Sequence, residues 1–229
     1  MQDFAGFHNG AFDEGRSRVI TGGSWKRQRI VMVIPSGDSI PAKVALSLWN
    51  LSCPPNNPVM RILAIGMEVG EAYSNAVEGI LAEPALSDWE YMLTVEHDNL
   101  PRPNSLLKLL ERMEAHPELH AISGLYFQKG EGGWPQIWGD PKDPVLNFRP
   151  QPPVNGELVE CCAIGMGFAI WRLSMFRDAR LERPLFQTHD QPMMSQDLAF
   201  WHNARQLGYR CAVDCSVKTG HMDGNGFVW

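Results

Sequence analysis

No apolar run in this chain approaches the ~18 residues that a membrane span needs, and the N-terminus shows no charged-then-apolar signal pattern. A soluble, cytoplasmic protein without a membrane span is the expectation. A basic surplus is also missing: 20 Lys and Arg stand against 26 Asp and Glu, for a formal net charge of −6. The electrostatic footprint that dominates nucleic-acid affinity is therefore lacking, and a nucleic-acid partner is not favoured. The same acidic balance disfavours phosphates, so a nucleotide ligand would need local cations, backbone N–H groups or a metal. The five cysteines, Cys53, Cys161, Cys162, Cys211 and Cys215, are odd in number and form no C-x-x-C pair. That pattern argues for reduced, buried thiols rather than a disulfide framework or a zinc site. Internal repeats and low-complexity tracts are missing too.

What is present is an ordinary globular composition, 44% hydrophobic and 20% charged over 229 residues. Such a chain can bury a sizeable core without staples, and α/β folds of this length commonly stay single around one sheet. Residues 1–28, rich in Gly, Asn, Asp, Ser and Arg, read as an irregular extension. From there strands and helices alternate. Ile30 to Ile34 is a continuous apolar run closed by Pro35-Ser36-Gly37-Asp38, as expected of a strand buried on both faces, and Val44, Leu48 and Leu51 follow at helical spacing. Met60 to Ile65 and Ala72 to Leu81 repeat the unit, and Tyr91 to Val95 with Ser105 to Met113 repeat it again. Three units in series imply a parallel, doubly wound sheet. The second half is less regular. Ala121 to Phe127, Leu158 to Ile164, Phe168 to Trp171 and Tyr209 to Val217 are strand-like, residues 131–153 form a loop dense in Gly, Pro and Trp, and Leu198 to Leu207 is a helix ended by Gly208.

Glu96 and Asp98 fall just past the third strand, where ligands bind in open α/β sheets. In extended chain, residues i and i+2 project to one side, so the two carboxylates can address one hard cation. Taken alone, an E-x-D at a strand end also fits a polar loop leading to the next helix.

The downstream order of motifs adds to this. Gly165-Met166-Gly167, then Arg172 to Phe176, Gln196-Asp197 opening a helix, and finally Gly220-His221 together resemble family 2 glycosyltransferases. Val33 to Ser36, Ser47-Leu48 and Asn75-Ala76 are similar to that family's donor-side pattern, so the resemblance spans about residues 30–221. The departures are Glu96 where Asp is commoner and Gln196 where Glu usually opens the pair. The resemblance implies a GT-A-type, Rossmann-like mixed sheet flanked by helices in a single domain over residues 29–222. Its donor half covers about 29–100 and its acceptor half about 101–222, with a flexible tail at 223–229. It further implies that Asp98, Glu96 and His221 hold Mn²⁺ or Mg²⁺, and that Asp197 is the base of an inverting reaction. On the donor side it points to Pro35, Ser36, Gly37, Glu68, Asn75, Glu96 and His97, facing a UDP- or GDP-sugar. On the acceptor side it points to Gly165, Met166, Gly167, Trp138 and Gln196. The acceptor stays unidentified, and a modified nucleobase remains open.

The residues alone leave alternatives. Asp197 also fits an acid favoured in the first turn of a helix by its dipole, His221 a hydrogen-bonded surface histidine, and Trp134 and Trp138 local packing. A sugar nucleotidyltransferase would share the fold, but Pro35-Ser36-Gly37-Asp38 lacks the Gly-rich loop with Arg and Lys that such enzymes carry. A non-catalytic nucleotide- or carbohydrate-binding module of the same fold finds its support in Gln196.

Overall fold

The structure, a computed structural model, describes residues 27–55, 57–190 and 193–229. The extension expected over residues 1–28 thus lies, save its last two residues, outside the described residues. The first strand, β1 (Ile30–Ser36), is buried along its whole length. Its alternate side chains feed two cores, with Val31 and Val33 in one and Ile30, Met32 and Ile34 in the other. Period-two alternation explains why this run shows no polar face: both of its faces are covered. Helix α1 (Ala42–Trp49) follows, then β2 (Val59–Ile65), α2 (Val69–Ala82) and β3 (Tyr91–Val95). The carboxylate of Glu68 caps α2 by accepting the Glu71 N–H at 3.0 Å.

A two-residue strand β4 (Asn99–Leu100) leads into α3 (Ser105–Ala115), whose Leu106, Leu109, Leu110 and Met113 are buried. Next come β5 (Ala121–Leu125), β6 (Ile137–Trp138), β7 (Leu158–Cys161), β8 (Ala163–Ile164), β9 (Phe168–Arg172) and the short helix α4 (Leu173–Phe176). The chain then forms β10 (His189–Asp190), β11 (Met193–Met194), α5 (Gln196–Gln206), β12 (Cys211–Lys218) and β13 (Gly220–His221). The expected loop over 131–153 carries β6, which pairs with β8. The segment 223–229, expected as a tail, folds back as a hairpin: Met222 bridges Val228, and His221 and Trp229 exchange backbone hydrogen bonds of 3.1 and 2.9 Å.

The main sheet has seven strands in the order β2-β1-β3-β9-β5-β12-β7. The first three strands are parallel, as their strand-helix rhythm implies, and beyond them the sheet turns mixed, as expected of a GT-A-type sheet. β9 lies between β3 and β5 and runs against both. The reason is local: Gly165-Met166-Gly167 delivers the chain at the carboxyl end of β3, so β9 can only return antiparallel to it. Helices α1 and α3 pack on one face, α2, α4 and α5 on the other. The second face is centred on an aromatic cluster in which Trp171 stacks on Trp201 at 5.4 Å between ring centroids, surrounded by Phe176, Phe186 and Phe200. Among the described residues no helix is long and apolar enough to cross a membrane. The four cysteines of the second half are buried free thiols.

Candidate functional site

The order β2-β1-β3 means that the chain steps outward from β1 and then crosses back to the other side of it. Ligands in open α/β sheets bind at such a reversal, beyond the carboxyl ends of the strands. Glu96 leaves β3 at that point. Its N–H donates to the Gly167 carbonyl at 3.0 Å, which extends the β3–β9 pairing by one residue and fixes where the side chain begins. The backbone does not stay extended, contrary to the reading of Glu96 and Asp98 as i and i+2 on one straight strand. The Asn99 N–H donates to the Glu96 carbonyl at 3.1 Å, closing a turn over His97 and Asp98, with His97 exposed at its tip. The turn, rather than pleat alternation, brings the two carboxylates together.

β4 then pairs antiparallel with β13, setting Asn99 opposite His221 and Leu100 opposite Gly220. The Met222 N–H donates to the Asp98 carbonyl at 2.8 Å. This small ladder carries His221, some 120 residues later in the chain, to Asp98: ligating atoms of Glu96, Asp98 and His221 all lie within 4.8 Å of one another. His221 Nδ1 sits 2.7 Å from the Phe127 carbonyl, which can only accept, so Nδ1 carries the proton. Nε2 faces Asp98 Oδ1 at 3.7 Å. A backbone carbonyl fixing one ring nitrogen so that the other faces outward is how ligating histidines are oriented. Asp98 Oδ1 is itself buried without a hydrogen-bond partner among the described residues. Two carboxylates and an imidazole converging on such an orphaned oxygen fit a hard or borderline divalent cation.

Charge at the cluster is uneven. Burial, then the negative charges of Asp98 and Asp197, push Glu96 up to about 7. Burial also acts upward on Asp98, but the facing His221 and an ion pair with Lys129 outweigh it and hold the carboxyl at about 2. Asp197 is buried in the first turn of α5. Burial pushes it above the usual carboxylate range, partly offset by the Ser195 hydroxyl and by the Leu198 N–H at 2.9 Å, both donating to Oδ1. Two buried tyrosines complete the surroundings. The Tyr126 hydroxyl accepts the Gly167 N–H at 2.9 Å, whereas the Tyr73 hydroxyl is buried without a partner among the described residues. Burial first and the Glu96 charge second raise both phenols above their ordinary range.

Gly165 and Gly167 are explained by this packing. A Cβ at 165 would stand 2.1 Å from the Tyr126 hydroxyl oxygen, and one at 167 would stand 2.6 Å from Asn99 Oδ1. The close approach they permit is to Tyr126 and Asn99, and Met166 between them is buried. The remaining expected residues are more spread out. Pro35 and Ser36 end β1, with the Ser36 hydroxyl donating to the Ser39 carbonyl at 3.0 Å, and Gly37 is exposed beyond them. Glu68 and Asn75 lie exposed on α2, where the Asn75 amide reaches the Met67 sulfur at 3.5 Å. Gln196 packs its Cβ against Gly70 at the start of α2, and the Trp138 indole donates to Gln136 at 3.1 Å. The sequence reading passed over Lys129, Tyr73 and Tyr126. Tyr73 carried a signal, a hydroxyl-bearing ring on the sheet-facing side of a helix between Ala72 and Ala76. Lys129 carried none beyond being the cation of a Gly-rich turn.

Neither a protein-family model nor a curated protein sequence matches this chain. Among solved structures, A197 from STIV is similar with a TM-score of 0.64 and 15% identity, over 87% of this chain and 88% of A197. The seven-stranded mixed sheet flanked by helices is a GT-A-like fold in one domain. Two structures of S. aureus TarS overlap more loosely at 14% identity. The fragment 1–349 has a TM-score of 0.49 over 81% of this chain and 57% of its own, and the longer chain 0.48 over 81% and 35%. This chain spans less than two thirds of either TarS structure, and overlap at that level carries no argument about chemistry.

Proposed function

We propose that this protein is a metal-dependent glycosyltransferase that moves a sugar from a nucleoside diphosphate, UDP or GDP, to an acceptor hydroxyl. The observation that carries the reading is the convergence of Glu96, Asp98 and His221 on one point beyond β3, at the reversal of strand order in a GT-A-like sheet. Those three side chains would hold Mn²⁺ or Mg²⁺. What a cation held there supplies is neutralisation of the charge on the departing nucleoside diphosphate. That also meets the difficulty an acidic protein has with phosphate, and Lys129 beside Asp98 adds a second positive charge. Pro35, Ser36, Gly37, Glu68, Asn75 and His97 belong to the donor side in this reading; Gly165, Met166, Gly167, Trp138 and Gln196 to the acceptor side.

Asp197 is the base. The acceptor oxygen forms its bond to the anomeric carbon as the bond from that carbon to phosphate oxygen breaks, and the acceptor proton passes to the Asp197 carboxylate. Its polar contacts with Ser195 and Leu198 both fall on Oδ1, which leaves Oδ2 for the proton. A pKa raised by burial makes this carboxylate a better proton acceptor than an exposed one. Opposite-face attack inverts the anomeric configuration.

Incubation with UDP-, GDP-, CDP- and dTDP-sugars plus Mn²⁺ tests the proposal. Slow release of nucleoside diphosphate is expected from one of them, removed by Asp98→Ala. Asp197→Ala should retain Mn²⁺ affinity while turnover falls roughly 10²- to 10⁴-fold, the usual worth of a positioned base. Release of pyrophosphate would replace the reading with nucleotidyl transfer. Metal-dependent donor binding without turnover on any acceptor would make the chain a binding module.

A further inference from the structure

A cavity of about 500 Å³ opens where β5 and β12 lose their common register. Asp214 faces Gly124, but the next ladder pair is Lys218 with Leu125, so Cys215, Ser216 and Val217 are looped out between them. Bulges of this kind bend a strand and re-aim its side chains. Lys218 lines the cavity from that bulge, and Arg102 lines it from the segment after β4. Both are exposed, and neither has an ion-pair partner among the described residues. No carboxylate side chain lines the cavity among the described residues. In a protein of net charge −6, a hollow whose charged walls are both cationic is a selective feature.

The rest of the lining is largely apolar, with the rings of Phe127 and Trp229 among it, and Asn155 and Thr219 as neutral polar groups. Thr219 is 5% exposed, and its hydroxyl has no hydrogen-bond partner among the described residues. The cavity has the volume and the mixture of apolar wall and few polar groups that small-molecule sites have.

We infer that this cavity is a second ligand site, for a small ring-bearing phosphate monoester whose ring lies on the apolar wall and whose phosphate sits between Arg102 and Lys218. Two cations on flexible stems suit a compact dianion, and a guanidinium matches phosphate oxygens in pairs. A bare inorganic anion would leave the apolar wall uncovered, and a nucleic acid would need far more positive surface than two residues. The site adjoins the carboxylate cluster through the β4–β13 ladder. Leu100 and Gly220, one pair of that ladder, line the cavity, while the neighbouring pair carries His221. Binding here requires neither the cation nor the donor, so it stands apart from the transferase reading.

Calorimetric titration of phenyl phosphate in metal-free buffer with chelator tests it, using the wild type, the Arg102→Ala/Lys218→Ala double variant and Asp98→Ala. The wild type and Asp98→Ala should bind alike. The double variant should bind about tenfold more weakly or worse, as should phenol and inorganic phosphate with the wild type. The inference is overturned by an absence of heat with the wild type, by inorganic phosphate binding as well as the ester, or by binding that survives in the double variant and disappears in Asp98→Ala.

Discussion

Glu96 is a liability to the empty protein. Its carboxyl titrates near 7 when folded and near ~4.3 when unfolded, so the folded state holds the proton more tightly. Below about pH 4 that difference costs nothing; as pH rises from there to 7 the folded state loses stability, and above 7 the full penalty is present. Glu96→Gln should therefore leave thermal stability unchanged near pH 4 and raise it at pH 8, by at most about 4 kcal/mol. Melting curves of the metal-free protein at the two pH values measure this, and equal shifts would show that Glu96 is not buried against its neighbours' charge. Lys129 works in the opposite sense. Its ammonium sits on Asp98 and competes with any other cation for that oxygen. Lys129→Met should raise Mn²⁺ affinity about fivefold to tenfold by calorimetry, the worth of a partly exposed ion pair of roughly 1 kcal/mol. At this scale the sequence showed Asp98, Glu96 and His221 as candidates, because carboxylates after a strand and a late G-H stand out as residue types. It did not show how they meet, since the turn at His97 depends on hydrogen bonds that no side-chain pattern encodes, and Lys129 and the two tyrosines reach the cluster only through folding.

Among elements, the decisive junction is the crossing of the Gly165-Met166-Gly167 segment over Tyr126 and Asn99. Gly167→Ala places a methyl where Asn99 Oδ1 and the Tyr126 ring already stand, 2.6 and 2.7 Å away. Buried overpacking of this kind costs about 1 to 3 kcal/mol, and here the neighbours that must yield hold the turn bearing Asp98. Denaturant titration should report that loss, with weaker Mn²⁺ binding in the same variant. Unchanged values in both would mean the crossing is looser than its distances. The long elements were legible, since Ile30 to Ile34 is an unbroken apolar run of strand length and Leu106 to Met113 carries a clear period of 3.6. β4 and β13 were not: two residues are too short to show a period, yet this ladder delivers the histidine. Nor does the sequence show that the atoms closest to Gly165 and Gly167 belong to Tyr126 and Asn99.

Over the whole molecule, α3 is tied to β12 by Arg112, whose Nε donates to Asp214 Oδ2 at 2.8 Å. Asp214 is 1% exposed at its side chain, so Arg112→Leu strands a buried carboxylate and should cost about 3 to 5 kcal/mol in chemical denaturation. Little change would mean that the Ser216 N–H, which also donates to Asp214, suffices alone. The first half of the sheet could be read because its order follows the strand-helix rhythm. The second could not, because nothing in Phe168 to Arg172 says which two strands it will separate. That late arrival sets the timetable of folding. The neighbours of β9 are complete by residue 125, but β9 itself ends at residue 172. A chain emerging from the ribosome therefore carries its sheet with the central slot unfilled, and the bare edges of Tyr91–Val95 and Ala121–Leu125 stay open to mispairing through much of synthesis.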